Sequence, residues 1–267
     1  RSWTPPVLPA DAAAVLRAER AYLASDAARI DRAYWQDTLA GPLPVLELPT
    51  DRPRPASGAI RGRTVQAVLP AAQGESLRAF CVAQGINPAA LFLGAYELLL
   101  ARTGGQDEVV VGVSTRGRWD ERFAGLVGYF VNMIALRSRS MPTSSVTAWL
   151  AAVQGRLVDA LDHAGYPFPR LLRELGAARA PGRTPVFQAA FEYQNATVLR
   201  HGDVGERLAE VLGGSFVTDL QQEGGYELVL EVVEAAGGYG LTLKYDGRLY
   251  DAAGMADMLG HYGELLA

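Results

Sequence analysis

The sequence predicts an α/β fold, a mixed sheet covered by helices, on three observations. Residues 108–113 read as a strand whose run after Glu108 is continuously apolar, as when both faces are buried. Leu91, Phe92, Ala95, Leu98 and Leu99 recur at helical spacing, a stripe that reads as core. Two strand-like runs, 228–233 and 239–245, are separated by Ala236-Gly237-Gly238, which suits a hairpin. At 267 residues the chain makes one large or two small globular domains and can bury roughly 70–75% of its unfolded surface.

The elements follow in chain order. Pro5, Pro6 and Pro9 mark an extended lead-in, after which Asp11 precedes an Ala-, Leu-, Arg- and Glu-rich helix to about Ala24. A second helix runs through Trp35 and stops near Gly41-Pro42. From residue 42 to 55 each proline fixes its own φ and restricts its predecessor, so this stretch is a strap laid over the surface. Residues 1–41 thus form a helical opening segment and residues 42–267 the body. Alternation over 64–69 predicts a strand, and 71–84 a helix ended by Gly85. Asn87 is an N-cap with Pro88 at the first helical position, opening a helix to about Arg102. A strand over 132–136 precedes an amphipathic helix over 147–162, with Trp149, Val153, Leu157 and Leu161 every four residues. His163 lies where a helix C-terminus favours a cation. Residues 185–194 predict a strand, and Asp251 caps a final helix through Leu266. Residues 196–225, rich in Gly and polar side chains, predict a mobile or crossing segment.

Composition excludes several function classes. A net charge of −4 and a pI near 5.5 argue against a nucleic-acid partner, which calls for a basic surface. Basic clusters at 52–63 and 170–183 read either as solvated faces or as docking points for an acidic partner. Cys81, the lone cysteine, forms no internal disulfide and reads as a buried helix residue; with scattered histidines there is no metal-ligand spacing. No apolar stretch approaches the roughly 18 residues of a membrane span, and Arg-Ser-Trp-Thr-Pro-Pro is no signal peptide. A cytoplasmic setting without a membrane partner is therefore expected. No G-x-x-x-x-G-K-[ST] loop is present, so Gly104-Gly105 and Gly237-Gly238 read as turns.

The chemistry-bearing signal is the run Val127-Gly128-Tyr129-Phe130-Val131-Asn132, closed by Arg137. Alone, Asn132 reads either as a backbone turn or cap or as an amide with a polar task. A second run, Arg183-Thr184-Pro185-Val186-Phe187-Gln188, continues as Phe191-Glu192-Tyr193-Gln194-Asn195. Around them stand Tyr34-Trp35 with Leu39 and Gly41, Leu46 to Pro55, Gly104-Gly105-Gln106-Asp107, and Gly112-Val113-Ser114 ending in Gly117-Arg118. In this order and spacing they resemble the condensation domains of nonribosomal peptide synthetases, which carry GxFVNT and RxPLFQ…FxxQN.

That resemblance implies a fold similar to chloramphenicol acetyltransferase: two lobes, each an α/β sandwich, meeting in a V with a tunnel between them. Donor and acceptor carrier proteins deliver thioesters on phosphopantetheine arms, and no cofactor is bound directly. It makes Asn132 a polar contact in the tunnel, Tyr129 and Phe130 its wall, and Gly128 a point of close backbone approach. Ser114 joins the channel residues, standing where proline is common in GxPxxGR, and Arg118 locks that loop by hydrogen bonding. Gln188, Gln194 and Asn195 become supporting or interface groups. The catalytic HHxxxDG motif has no match, since His163, His201 and His261 are isolated. With Arg1 at its start, the chain resembles a C-terminal lobe that needs an N-terminal lobe as partner, contributes no catalytic residue and is inactive alone.

Departures accompany the likeness. His163 to Pro169 resembles HxDxPFE, but Gly165 replaces the Asp and Pro169 the Glu. Met133 stands for the threonine after FVN, and Gly225-Tyr226-Glu227-Leu228 for KxDL. The FVN asparagine speaks against the epimerisation branch. Two other classes are weighed. A serine hydrolase using Ser114 needs G-x-S-x-G, and Arg116 occupies the last glycine position. A non-catalytic module that docks a carrier protein or enzyme differs from the catalytic lobe by whether the His-His motif lies upstream in the parent. A half-enzyme also leaves an apolar face wet and is expected to self-associate.

Overall fold

The structure, a computed structural model, describes residues 10–56, 58, 60–118, 120–139, 145–176, 182–194, 225–235 and 238–267. The proline lead-in at 5–9, Asn195, residues 196–224 of the expected crossing segment and the Ala236-Gly237 turn lie outside the described residues.

Two capped helices come first. In α1 (Ala12–Leu23) the Asp11 carboxylate accepts from the Ala14 amide, and in α2 (Asp26–Thr38) the Ser25 hydroxyl accepts from Ala28. α1 buries no side chain, whereas α2 buries Ala28 and Trp35. The strap follows and carries Leu46 and Leu48 into the core.

Among the described residues six strands form one mixed sheet in the order β1-β6-β5-β4-β2-β3. They are β1 (Gly62–Leu69), β2 (Glu108–Thr115), β3 (Asn132–Arg139), β4 (Ala189–Gln194), β5 (Leu228–Ala235) and β6 (Gly238–Asp246). β4 runs parallel to both neighbours, β2 and β5, and the other pairs are antiparallel. β5 and β6 are the expected hairpin pair, with Ala235 opposite Gly238. Between the strands lie α3 (Ala71–Gln84), α4 (Pro88–Gly104), α5 (Val146–Asp162) and α6 (Phe168–Glu174), with α7 (Ala252–Leu265) last.

α4 is the centre of the core. The Asn87 amide oxygen accepts from Ala89, Pro88 opens the helix, and Gly105 ends it at φ 60°. Ten of its residues are buried, more than one face of a surface helix can account for, so it is covered nearly all round. Phe92 meets Tyr193 and Tyr239, and Tyr96 meets Phe191 and Tyr262. Side chains alternate along a strand, so these contacts put α4 on the odd-numbered face of β4. The even-numbered face of β2 is covered instead by the Phe187 ring, which lies tilted against Phe168 of α6 and against Tyr226.

Several expectations change in detail. The strand over 185–194 begins only at Ala189, because Val186 sits at φ 72°, a left-handed conformation costly for a β-branched residue. That kink lays Phe187 over Gly112, where a Cβ would collide with the ring. On α5 the buried stripe is Leu150, Val153, Leu157 and Ala160, and Leu161 is 47% exposed. The short α6 gives no periodic signal in the sequence. Cys81 is buried on α3, as expected.

Three arginines of the basic clusters clamp the strap. Arg54 forks onto Glu227 at 2.6 and 2.9 Å, Arg52 pairs with Asp251, and Arg183 donates to Leu46 O at 2.7 Å and Glu47 at 2.6 Å. Arg137 joins in from β3, donating to Glu108, Ala40 O and Pro42 O. Among the described residues, no single helix is long and apolar enough to cross a membrane.

Candidate functional site: a cleft at the end of β2

The conspicuous motif residues converge where β2 ends and β3 begins, with Thr115 directly opposite Asn132. The Thr115 hydroxyl donates to Asn132 O at 3.0 Å and closes the pair. Asn132 then reaches the segment after α5. Its Nδ2 donates to Ala164 O at 2.9 Å and to Tyr166 O at 2.8 Å, and its Oδ1 accepts from Phe168 N at 3.0 Å. Phe168 is the first residue of α6, whose N-cap position is Pro167, unable to cap with a side chain. Asn132 therefore caps α6 from 36 residues away and satisfies a helix-end donor. The polar contact expected of it in a channel is made to backbone groups of the chain itself.

Between β2 and β3 the connection is locked from within. Arg118 donates to Phe123 O and, at 2.9 Å, to Leu126 O, and its guanidinium lies 4.1 Å from the centre of the Phe130 ring. Phe123 is buried and stacks with Phe130. Gly117, at φ 59°, makes this possible, because a Cβ there would run into Phe130 O. Gly128, expected at a close backbone approach, meets a neighbouring side chain instead: a Cβ would lie 3.1 Å from the Phe130 ring. Val127 is fully exposed, Tyr129 is 88% exposed, and Val131 joins them in one short apolar stretch.

A cleft of about 540 Å³ opens beside this loop, lined by Tyr22, Asp31, Ser114, Thr115, Arg116 and Gly165 among others. Ser114 and the Gly117-Arg118 turn thus share one cavity with the loop that Asn132 holds. Gln188 is occupied elsewhere. Buried on the strap side, it accepts from Leu46 N at 2.7 Å and donates to Thr184 O at 2.8 Å, tying the strap to β4. Gln194 donates to Glu231 at 2.6 Å, in a charged row where Lys244 lies 3.1 Å from Glu231 and 3.7 Å from Glu192. Burial holds the Glu192 carboxyl above its ordinary range. Tyr226, raised chiefly by burial, lies within electrostatic reach of both Tyr129 and Glu192.

Sequence patterning does not mark two groups that the fold brings forward. Tyr22 and Asp31 come from separate helices, and no linear spacing links them. Glu97, 1% exposed on α4, bonds Arg156 at 3.1 Å; burial outweighs that cation and pushes its carboxyl up to about 7. Among the described residues no group of His, Cys, Asp and Glu could hold a metal.

The profile of the condensation domain family matches residues 10–267. Polyketide synthase PksN of Bacillus subtilis (strain 168) is 39% identical over 236 residues, 87% of this chain and 4% of that protein. Tyrocidine synthase 2 of Brevibacillus parabrevis is 33% identical over 241 residues, 87% of this chain and 6% of that protein. The chain therefore spans about one twentieth of the length of these relatives. In structure it is similar to the condensation domain from Monacolin K polyketide synthase MokA, with a TM-score of 0.81 at 23% identity, covering 99% of this chain and 62% of that one.

Proposed function

We propose, from the fact that this chain belongs to the condensation domain family, that it is the acceptor-side, C-terminal lobe of a domain that makes peptide bonds. In that reaction the amine on one carrier attacks the thioester carbon on another. A C–N bond forms, the C–S bond breaks, the departing thiolate takes up a proton, and the amine loses one. The observation that carries the reading is the convergence of the motif segments around one cleft, Ser114 to Arg118 from β2 and the Asn132-held loop after α5. Coverage of 62% of a condensation domain with the same fold supports an N-terminal lobe as partner.

The chain's own part is positioning. Holding two reactants in line is worth several kcal/mol, on the order of 7–11 at best, and needs walls that do not move. Asn132 fixes one wall by capping α6, and Arg118 fixes the other by crossing the β2–β3 connection. Of the residues expected in the channel Ser114 lines the cleft, Gly128, Tyr129 and Phe130 belong to the connection beside it, and phosphopantetheine arms arrive on the two carriers. The proton-handling histidines belong to the partner lobe, so the chain alone makes no bond.

The test is amide formation from two loaded carrier proteins, using this chain with and without a separately supplied N-terminal lobe. Product only when both lobes are present supports the reading. Product from this chain alone refutes it. Carrier binding without product in the presence of both lobes favours a docking module instead.

A further inference from the structure

α2 and the loop after α5 meet over a chain of three polar side chains. Tyr22 donates its hydroxyl proton to Asp31 Oδ2 at 2.5 Å, and Asp31 Oδ1 lies 2.7 Å from His163 Nδ1. His163 is fixed by α2 in two further ways: its ring stacks on Tyr34, 4.0 Å between centres, and Trp35 Nε1 donates to its carbonyl at 2.9 Å. The Asp31 side chain is only 13% exposed, so a carboxylate bonded on both oxygens is held in place there.

Position 165 shows why the carboxylate comes from α2. Gly165 has no left-handed φ, so an ordinary side chain fits its backbone. A Cβ built on it, however, lies 3.2 Å from the Tyr22 hydroxyl and 3.6 Å from Asp31 Oδ2. An aspartate at 165 points into the volume that Tyr22 and Asp31 fill. The HxDxPFE likeness puts an acid at this position, and the chain has glycine there. Tyr22 and Asp31 also line the cleft, beside Ser114, Thr115 and Arg116.

We infer that Asp31 delivers from α2 the carboxylate that position 165 lacks, and that the Tyr22–Asp31–His163 chain holds the cleft wall at residues 164 and 165 in its reactive position. Asp31 is thus a positioning residue, acting through His163 and the loop rather than on the reacting atoms. Its effect on rate rests on the acyl-transfer reading; the relay itself does not.

The experiment uses the native polypeptide that contains this chain, with both carriers loaded. Amide formation, melting temperature and the imidazole nitrogen shifts of His163 are measured for Asp31→Ala, for the shape-preserving Asp31→Asn, and for the triple Tyr22→Phe/Asp31→Ala/Gly165→Asp. Asp31→Ala is expected to lower kcat by ~10-fold or more, because small misplacements are costly, with KM for the acceptor changed by less than about threefold. Asp31→Asn is expected to melt like the parent and still lose at least about threefold in kcat. The triple variant is expected to return to within about threefold of the parent and to restore the His163 shifts. An Asp31→Ala rate within about twofold of the parent overturns the inference, as does a triple variant no faster than Asp31→Ala with parental melting and shifts. If the parent forms no amide, the acyl-transfer reading fails. His163 shifts that ignore Asp31→Ala then overturn the relay on their own.

Discussion

Replacing Asn132 by aspartate keeps the outline of the side chain and reverses its chemistry. Both donors vanish, and a carboxylate oxygen is left facing Ala164 O and Tyr166 O across the 2.9 and 2.8 Å that N–H groups now bridge. Each lost hydrogen bond removes about 1 kcal/mol, and a half-buried charge against two carbonyls adds on the order of 1–3 kcal/mol. The sum is roughly 3–5 kcal/mol. Asn132→Ala loses the same two bonds and the cap on Phe168 N, about 3 kcal/mol in all. The isosteric change is therefore expected to be at least as harmful as truncation, the opposite of what shape alone gives. Urea unfolding measures both, and melting should fall by roughly 6–12 °C for about 3 kcal/mol in a chain of this size. An Asn132→Asp protein within about 1 kcal/mol of the parent, or clearly more stable than Asn132→Ala, refutes the clamp.

Three further outcomes are expected. Glu97 binds its proton more tightly folded, at about 7, than unfolded, where the ordinary 4.5 applies. The contribution of Glu97 to stability is therefore fully present below about pH 4.5 and is lost as pH rises through about 7, by up to ~3 kcal/mol, and Glu97→Gln should remove that component from urea titrations at several pH values; an unchanged slope contradicts the assignment. Gly117→Ala drives a methyl into Phe130 O and adds about 1–2 kcal/mol of backbone strain, so limited proteolysis should cut the 118–131 connection sooner, and equal protection argues against the turn. The exposed Val127 and Tyr129 should drive association of the isolated chain, and replacing both by serine should shift sedimentation toward monomer without changing the melt. A parent that sediments as monomer speaks against this.

How much the sequence discloses depends on how far each signal reaches along the chain. Asn87, Pro88 and Gly105 bracket α4 because caps act within one turn, and the apolar run of β2 announces burial on both faces. The role of Asn132 is not legible, because its partners are backbone groups 32 to 36 residues away. A strict four-residue step puts Leu161 inside, whereas the true repeat of 3.6 turns Ala160 inward instead. Val186 breaks an otherwise convincing strand pattern, since the demand of Phe187 for the hollow over Gly112 outweighs β-propensity at one residue. Asp31 and His163 stand 132 positions apart and only the packed α2 brings them together.

The anchoring of the strap has a kinetic consequence. Asp51 and Arg52 bond groups at Leu249 and Asp251, close to 200 positions downstream. Closing a loop of that length costs entropy that local contacts do not repay, and residues near 50 must wait on the ribosome until those near 250 emerge. At synthesis rates of roughly 5–20 residues per second, that delay lasts tens of seconds. During it the strap can pair with Gln106 and then with Arg183 and Gln188, so its end at Asp51 and Arg52 is fastened last, after every strand of the sheet has been made.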